Sequence, residues 1–372
     1  MSDERTDAIR TFLHQSGWQD AALMPLPGDA STRRYLRIMQ GERKAMLMDQ
    51  PQSAETPPCP PDASAEQRRA LGYNAIARLA GADCARFVAA AAFLHAQGLS
   101  APSVYAADPA TGFVLMEDLG DRLFTDVLSA EGNEETLYSG AIDAIVRLHL
   151  EEAPADLAQG IPLHAYDETA LLAEVDLMTE WFFPVVLGRA ARTEETIQHR
   201  TLWRELLHVP LSDPRVFVHR DYHAHNLLWL PERKGLARVG VIDFQDAVAG
   251  TPSYDLVSLL EDARRDVPAD LAEAMISRYL DSMRAQGVPL DVDRYRTEMA
   301  VMAAQRNVKI AGIFARLFKR DRKPHYLSYL PRVWSYLNRD LQHPALAQLR
   351  AWYNDAIPME SRGAPNIKGA MV

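Results

Sequence analysis

The chain has 372 residues, 48% of them hydrophobic, and a net charge of −10. Domains usually run roughly 100–200 residues, so two lobes are the default here, and the acidic balance argues against a general nucleic-acid binder. No stretch approaches the roughly 20 apolar residues of a membrane-spanning helix. The charged start Met1-Ser2-Asp3-Glu4-Arg5 is not expected to be a signal peptide, because no apolar run follows it. The two cysteines, Cys59 and Cys84, fit no metal-ligand spacing, which makes the cytoplasm the expected compartment.

In chain order, residues 5–16 are expected to form an amphipathic helix with Ile9, Phe12 and Leu13 on one face. Strands are expected at Leu23-Met24-Pro25-Leu26, at Tyr35-Leu36-Arg37-Ile38 and at Ala45-Met46-Leu47-Met48, with a turn at Gln40-Gly41-Glu42. The stretch Pro27-Gly28-Asp29-Ala30-Ser31-Thr32 reads either as an ordinary hairpin turn or as a loop over phosphates. In the second reading its backbone N–H groups and the Ser31 and Thr32 hydroxyls are the donors. Residues 51–64 hold a run of prolines, which neither donate to a ladder nor continue a helix, so a surface loop is expected. A helix follows near Asp83–Gln97, closed by Gly98, and then a hairpin from Ser103-Val104-Tyr105-Ala106-Ala107 to Phe113-Val114-Leu115-Met116-Glu117. Asp118-Leu119-Gly120 breaks the pattern. The lobe boundary is placed there, giving a strand-rich lobe at 1–117 and a helical lobe at 118–372. Helices are marked by Leu137, Ile142, Ile145, Val146 and Leu148, and again by Leu171 to Leu187, whose Trp181, Phe182 and Phe183 read as core.

The informative stretch is His219-Arg220-Asp221-Tyr222-His223-Ala224-His225-Asn226, followed by Val241-Ile242-Asp243-Phe244. Phosphoryl transfer asks a protein for alignment, neutralisation of phosphate charge and an acceptor for the hydroxyl proton. Asp221 suits the last task. Asn226 and Asp243 supply the amide and carboxylate oxygens that a hard cation such as Mg²⁺ prefers. Leu227-Leu228-Trp229-Leu230 and Val239-Gly240-Val241-Ile242 read as two strands around a turn, a hairpin that brings Asn226 and Asp243 side by side. The plainer alternative makes Asp221 a capping or turn residue, but the second strand and its Asp-Phe make a chance match of the whole pattern improbable.

On these residues the sequence resembles the aminoglycoside phosphotransferase-like group of the protein-kinase-like fold. The resemblance implies an α+β, two-lobed kinase with a small strand-rich N-lobe and a large helical C-lobe. It implies Asp221 as catalytic base, Asn226 and Asp243 as Mg²⁺ ligands, and ATP as donor. Met116-Glu117-Asp118-Leu119 would be the hinge whose backbone meets adenine, placing Glu117 and Leu119 at the nucleotide. Asp255, in Pro252-Ser253-Tyr254-Asp255-Leu256, would brace the catalytic loop together with His219. The chain is more closely similar to bacterial kinases of cell-wall recycling that phosphorylate the anomeric hydroxyl of N-acetylmuramate and N-acetylglucosamine. Ala30-Ser31-Thr32-Arg33-Arg34-Tyr35, Leu47-Met48-Asp49-Gln50-Pro51, Phe244-Gln245-Asp246-Ala247 and the segment Gln305-Arg306-Asn307-Val308-Lys309 onward carry that likeness. It implies a small amino-sugar substrate and no nucleic-acid, membrane or obligate protein partner. Choline, homoserine or antibiotic kinases of the same fold are the rival reading, and a nucleotide-binding regulator without turnover is another.

One departure stands out. Kinases of this fold carry a strand lysine on the α/β-phosphates and a helix glutamate that holds it. Here the strand ends Leu47-Met48-Asp49, and the Asp83–Gln97 segment contains no glutamate. Phosphate contact is therefore expected from Arg33, Arg34, Lys44 or the turn amides, with Arg33 or Arg34 replacing the lysine. For the acceptor, Arg306, Lys309, Arg316 and Arg320 fall within an arc of about 80° on a helix. That arc is either a solvated basic face or a basic wall beside the substrate, with Arg306 and Lys309 foremost. Glu174, Asp176 and Gln245 are further candidates for sugar contact, each equally readable as a surface or capping residue.

Overall fold

The computed structural model describes residues 3–27, 32–51, 59–212 and 215–363. Ser31, expected at the phosphates, and Gly28 lie outside them. Strands β1 (Ala22–Pro25), β2 (Arg34–Gln40), β3 (Arg43–Asp49), β4 (Val104–Asp108) and β5 (Phe113–Met116) form one antiparallel sheet in the order β1-β2-β3-β5-β4. Side chains alternate across a strand, so Leu36 and Ile38 on β2 share a face with Ala45 and Leu47 on β3. That face packs on Ile9, Phe12 and Leu13 of the helix Asp3–Gln15, as the periodicity of residues 5–16 requires. Gly41 supplies the positive φ (59°) of the two-residue turn between β2 and β3. The opposite face carries Tyr35 and Arg37 of β2 against Met48 and Met46 of β3.

Shorter strands follow: β6 (Val216–Val218), β7 (Leu227–Trp229), β8 (Val239–Val241) and β9 (Val248–Gly250). β7 and β8 pair antiparallel, Leu227 opposite Val241 and Trp229 opposite Val239, and β6 pairs with β9. β6 and β9 have three residues each, too few for alternation to register, and were not expected.

By packing, the chain falls into two compact units, Met1–Ala144 with Pro154–His164 and Ala224–Val248, and Ile145–Ala153 with Ala165–His223 and Ala249–Val372. This differs from the expected division at 117/118. The reason lies in backbone pairing: Leu123 bridges Leu228, the Trp229 N–H donates to the Arg122 carbonyl (2.8 Å), and the Val241 N–H donates to the Ser100 carbonyl (2.9 Å). These bonds tie the β7–β8 hairpin and the residues just after 117 to the sheet-bearing unit.

The first unit also holds the helix Cys84–Ala96, capped by Asp83, whose side chain accepts from the Ala85 N–H at 2.9 Å. The helix Ala65–Leu71 was missed at the end of the proline-rich stretch. Its signal was present in Ser64-Ala65-Glu66-Gln67, a capping box in which Ser64 and Gln67 satisfy each other's backbone N–H groups.

In the second unit the helix Val292–Asp321 is buried on nearly every side from Val301 to Ala311. It packs against the helices Glu168–Leu177, Ser253–Leu260 and Leu330–Asp340 and the π-helical segment Met178–Leu187. The close approach is made at Gly312, where an added Cβ would lie 2.5 Å from the Leu177 Cβ and 2.6 Å from its carbonyl carbon. Backbone cannot step aside as a side-chain tip does. Gly312→Ala is expected to destabilise by about 3 kcal/mol, the upper end of ordinary overpacking, read as a lowered denaturant midpoint at unchanged slope. A midpoint within error of the parent would disprove this packing.

Candidate active site

The loop His219–His223 leaves β6 in the second unit and is held from below by Asp255, in the first turn of the helix Ser253–Leu260. One Asp255 oxygen accepts from the His219 N–H at 2.7 Å and the other from the Arg220 N–H at 2.9 Å. Burial pushes this carboxyl up to about 6, against the pull of His219 and the two N–H groups. Arg220 adopts φ 76°, a left-handed conformation that non-glycine residues seldom take, so the loop is fixed at some local cost. The His219 ring nitrogen Nδ1 accepts from the Asp221 N–H at 3.3 Å.

Beneath the loop lies a buried ionic network. The Arg220 guanidinium, 1% exposed, reaches Glu174 at 2.5 Å. Lys309 Nζ lies 3.0 Å from the same carboxylate and donates to the Tyr254 hydroxyl at 3.2 Å. Gln305 donates to the second Glu174 oxygen at 3.0 Å, and the Tyr166 hydroxyl donates there too. Burial raises the proton affinity of Glu174, but Lys309 and Arg220 more than reverse this and leave the carboxyl below its ordinary range. Asp221 itself is half-buried. Burial favours its neutral form, yet Lys309, His223, Arg306 and Arg220 together hold it well below the usual carboxylate range. The group is thus ionised at neutral pH and able to accept a proton and a hydrogen bond from a hydroxyl.

In the first unit the β7–β8 hairpin forms as the spacing requires. The Ile242 N–H donates to the Asn226 carbonyl at 3.1 Å, so Asn226 and Asp243 flank the same end of the ladder. Asp243 has φ 64°, and its side chain is 41% exposed. Arg33 lies 2.9 Å from its carboxylate and 3.7 Å from Asp246, and Gln245 donates to Asp243 at 3.0 Å. Although burial disfavours the Arg33 cation, Asp243 and its other neighbours keep the guanidinium firmly charged. An amide oxygen and an accessible carboxylate make a donor set that fits Mg²⁺.

The other expected nucleotide residues divide by strand face. Arg34 falls on the core side of β2, where its guanidinium meets buried Asp49 at 2.5 Å, a carboxylate it shares with Arg5. It does not join Arg33. Lys44 is exposed at the start of β3, opposite Met39. Where a strand lysine would stand, β3 offers Met46 and Met48. Thr32 is exposed, and its hydroxyl accepts from Gln50 at 3.2 Å. The helix Cys84–Ala96 has Arg86 in place of a glutamate, bonded to the Arg78 and Ala247 carbonyls at 3.1 and 3.0 Å, and its Phe87 stacks on Phe244 at 4.7 Å. In the hinge segment the Glu117 N–H donates to the Ser103 carbonyl and the Glu117 carboxylate takes Arg233 at 2.5 Å, while Leu119 packs half-buried beside Gly240. Arg37, not foreseen, grips Asp118 at 2.7 Å and Asp121 at 2.6 Å and so ties β2 to that segment.

Among the expected sugar contacts, Glu174 is corrected. It is 0% exposed with both oxygens occupied, so it supports Arg220 rather than facing a substrate. Lys309 is committed to the same carboxylate. Gln245 is buried and its amide is turned to Asp243 and Asp246. Asp176 pairs with Arg200 at 2.5 Å. Arg306 and Lys309 are only 4% and 8% exposed, which rules out a solvated face for that part of the helix; Arg320, farther along, is exposed.

A match to the phosphotransferase enzyme family (APH) covers residues 22–296. The chain is 45% identical over 368 residues to a Caulobacter vibrioides protein named N-acetylmuramate/N-acetylglucosamine kinase, covering 97% of this chain and 99% of that one. It is 34% identical over 339 residues to a Pseudomonas aeruginosa protein of the same name, covering 90% and 89%. Among solved structures it is similar to the choline kinase LicA of Streptococcus pneumoniae (TM-score 0.57, 13% identity, 93% and 100% covered). It is also similar to the ADP-bound aminoglycoside phosphotransferase APH(2'')-Ib (TM-score 0.52, 15% identity, 94% and 99% covered). At such low identity these two carry the fold alone, the two-lobed kinase architecture expected from the sequence. No helix among the described residues is long and apolar enough to cross a membrane.

Proposed function

The chain belongs to the phosphotransferase enzyme family and is a kinase, and from that premise we propose that it transfers the γ-phosphoryl group of ATP to the anomeric hydroxyl of N-acetylmuramate or N-acetylglucosamine. The observation that carries the choice of acceptor is the near full-length identity to the Caulobacter vibrioides kinase of that name. Asp221 orients the acceptor hydroxyl and takes its proton as the new O–P bond forms and the bond from the γ-phosphorus to the bridging oxygen of ADP breaks. An anomeric hydroxyl is more acidic than other sugar hydroxyls, so a strongly ionised carboxylate suffices if the proton moves late. Asn226 and Asp243 hold Mg²⁺, which neutralises phosphate charge when bound. Residues 1–117, with Leu119 just beyond them, would supply the nucleotide lobe: Glu117 and Leu119 would meet adenine, Ser31 and Thr32 would donate to phosphates, and Arg33 would stand in for the absent strand lysine. The reaction belongs to the cytoplasm, where its nucleotide is found and where the buried free thiols Cys59 and Cys84 persist unpaired.

The test is ADP release with Mg·ATP against N-acetylmuramate, N-acetylglucosamine, kanamycin, choline and homoserine. Turnover confined to the two N-acetyl sugars is expected, and turnover with another acceptor alone would overturn the assignment. Arg33→Met is expected to raise the KM for ATP about tenfold, the value of one charge-assisted contact, whereas Arg34→Met should leave it within about twofold. Equal effects of the two substitutions would exclude Arg33 as the replacement.

A further inference from the structure

In the second unit buried Arg220 and half-buried Arg200 and Arg332 pair with Glu174, Asp176 and Asp266, and buried Arg362 is met instead by the Tyr353 and Ile357 carbonyls and by Asn338 and Asn354. Two beside the catalytic loop are treated differently. Arg306 is 4% exposed, and its hydrogen bond is a long one, 3.5 Å, to the Glu261 carbonyl. Arg264 is half-buried and donates to His223 Nε2 at 3.2 Å. Among the described residues neither guanidinium has a carboxylate within ion-pair distance. The nearest acidic neighbour along the chain, Asp262, accepts the Arg264 backbone N–H at 2.8 Å rather than its side chain. The chain has 50 acidic residues for 40 basic ones, so this is not a shortage of anions. A buried cation without a counter-charge is expensive, and evolution retains one where a ligand supplies the charge.

The geometry around His223 fixes where that ligand sits. His223 belongs to the catalytic loop, its backbone N–H donating to the Asp221 carbonyl at 3.1 Å, and Arg264, from the segment after the helix Ser253–Leu260, meets that loop at the imidazole. Burial holds His223 far below its ordinary value, at about 3, so the imidazole is neutral, and because a guanidinium can only donate, Nε2 is the acceptor from Arg264. Arg306 acts on both Asp221 and His223 from the helix Val292–Asp321. Lys309, by contrast, is held by the Glu174 carboxylate at 3.0 Å and so already has a counter-charge within the protein.

We infer that Arg306 and Arg264 form a subsite for an anionic substituent on the acceptor, a carboxylate, and so set a preference for acidic over neutral N-acetyl amino sugars. This rests on the kinase reading above. The lactyl ether of N-acetylmuramate carries such a carboxylate, and N-acetylglucosamine does not. Arginine suits the task because its planar fork matches a carboxylate with two parallel hydrogen bonds.

The test compares kcat/KM for N-acetylmuramate, its methyl ester and N-acetylglucosamine in the parent protein, Arg306→Met and Arg264→Met. Arg306→Met is expected to lower kcat/KM for N-acetylmuramate about 10- to 100-fold more than for N-acetylglucosamine, and to abolish the parent's discrimination between the acid and its ester. Half-buried Arg264 gives the same signature more weakly and serves as the independent variant should Arg306→Met fold poorly. An equal fall for all three acceptors would mean that the arginines act on the transferred phosphate or on Asp221, and the subsite would be rejected while the kinase stands. Parent turnover with none of the three would overturn the kinase reading and the subsite with it.

Discussion

Replacing Asp221 by Asn is expected to lower kcat by about 1,000-fold or more, with the KM for ATP changed by less than about threefold, because general-base assistance is typically worth 10²–10⁴. The amide keeps the shape and can still accept a hydrogen bond, but it cannot take the hydroxyl proton. The substitution also deletes a carboxylate surrounded by Lys309, Arg306, His223 and Arg220, all of which favour its ionised form. The folded carboxyl lies below its unfolded value, so its contribution to stability is complete above the ordinary carboxylate range. That contribution is lost only as pH falls through the folded value. Between pH 5 and 8, then, Asp221 does not titrate, and any acid limb of kcat in that window belongs to another group. Measured single-turnover rates within tenfold of the parent would remove Asp221 from the chemistry.

The second large effect is expected at Asp255. Asp255→Ala strands the His219 and Arg220 N–H groups in a buried setting, at about 1–3 kcal/mol each, and frees the loop that carries Asp221. Misplacing a reacting group by an ångström costs about 100-fold, so a comparable fall in kcat should accompany a clear drop in the urea midpoint. This group also supplies a pH signature. With its carboxyl pushed up to about 6, it is protonated below that pH, and one oxygen then ceases to accept an N–H. The kcat of the parent should therefore rise with an apparent value near 6. Stability runs the other way. Between its ordinary value, near 4, and 6 the folded chain holds a proton that the unfolded chain has released, so this group's contribution to stability declines as pH rises through that window. A flat kcat between pH 5 and 7 would count against this role for Asp255.

What the sequence revealed, and what it hid, follows the range of the forces involved. The hairpin around Asn226 and Asp243 was legible because both residues border short apolar runs joined by a polar turn. The helix Cys84–Ala96 was legible from its Asp83 cap and from Gly98 beyond its end. The division of Arg33 from Arg34 was not legible, although alternation along β2 already assigns them to opposite faces; recognising this required knowing that Leu36 and Ile38 point at the helix Asp3–Gln15. The fate of Glu174 was hidden altogether. Its partners Arg220, Lys309 and Gln305 lie 46, 135 and 131 residues away, and nothing in its immediate sequence announces a buried carboxylate. The helix Ala65–Leu71 was overlooked for a different reason, since the prolines before it masked a capping box that was plain to read.

The two thiols offer a consequence of another kind. Cys59 and Cys84 are 7% and 2% exposed, both belong to the sheet-bearing unit, and the other unit has no cysteine. Burial pushes the Cys84 thiol up to about 11, which keeps it protonated and unreactive while the structure is closed. Once released it behaves as an ordinary thiol near 8.5 and reacts with a disulfide reagent. The natural chain thus contains its own clock. The rate at which it consumes such a reagent counts the openings of one unit alone, and a slowing of that clock by nucleotide measures how much of the binding energy is invested in keeping that unit shut.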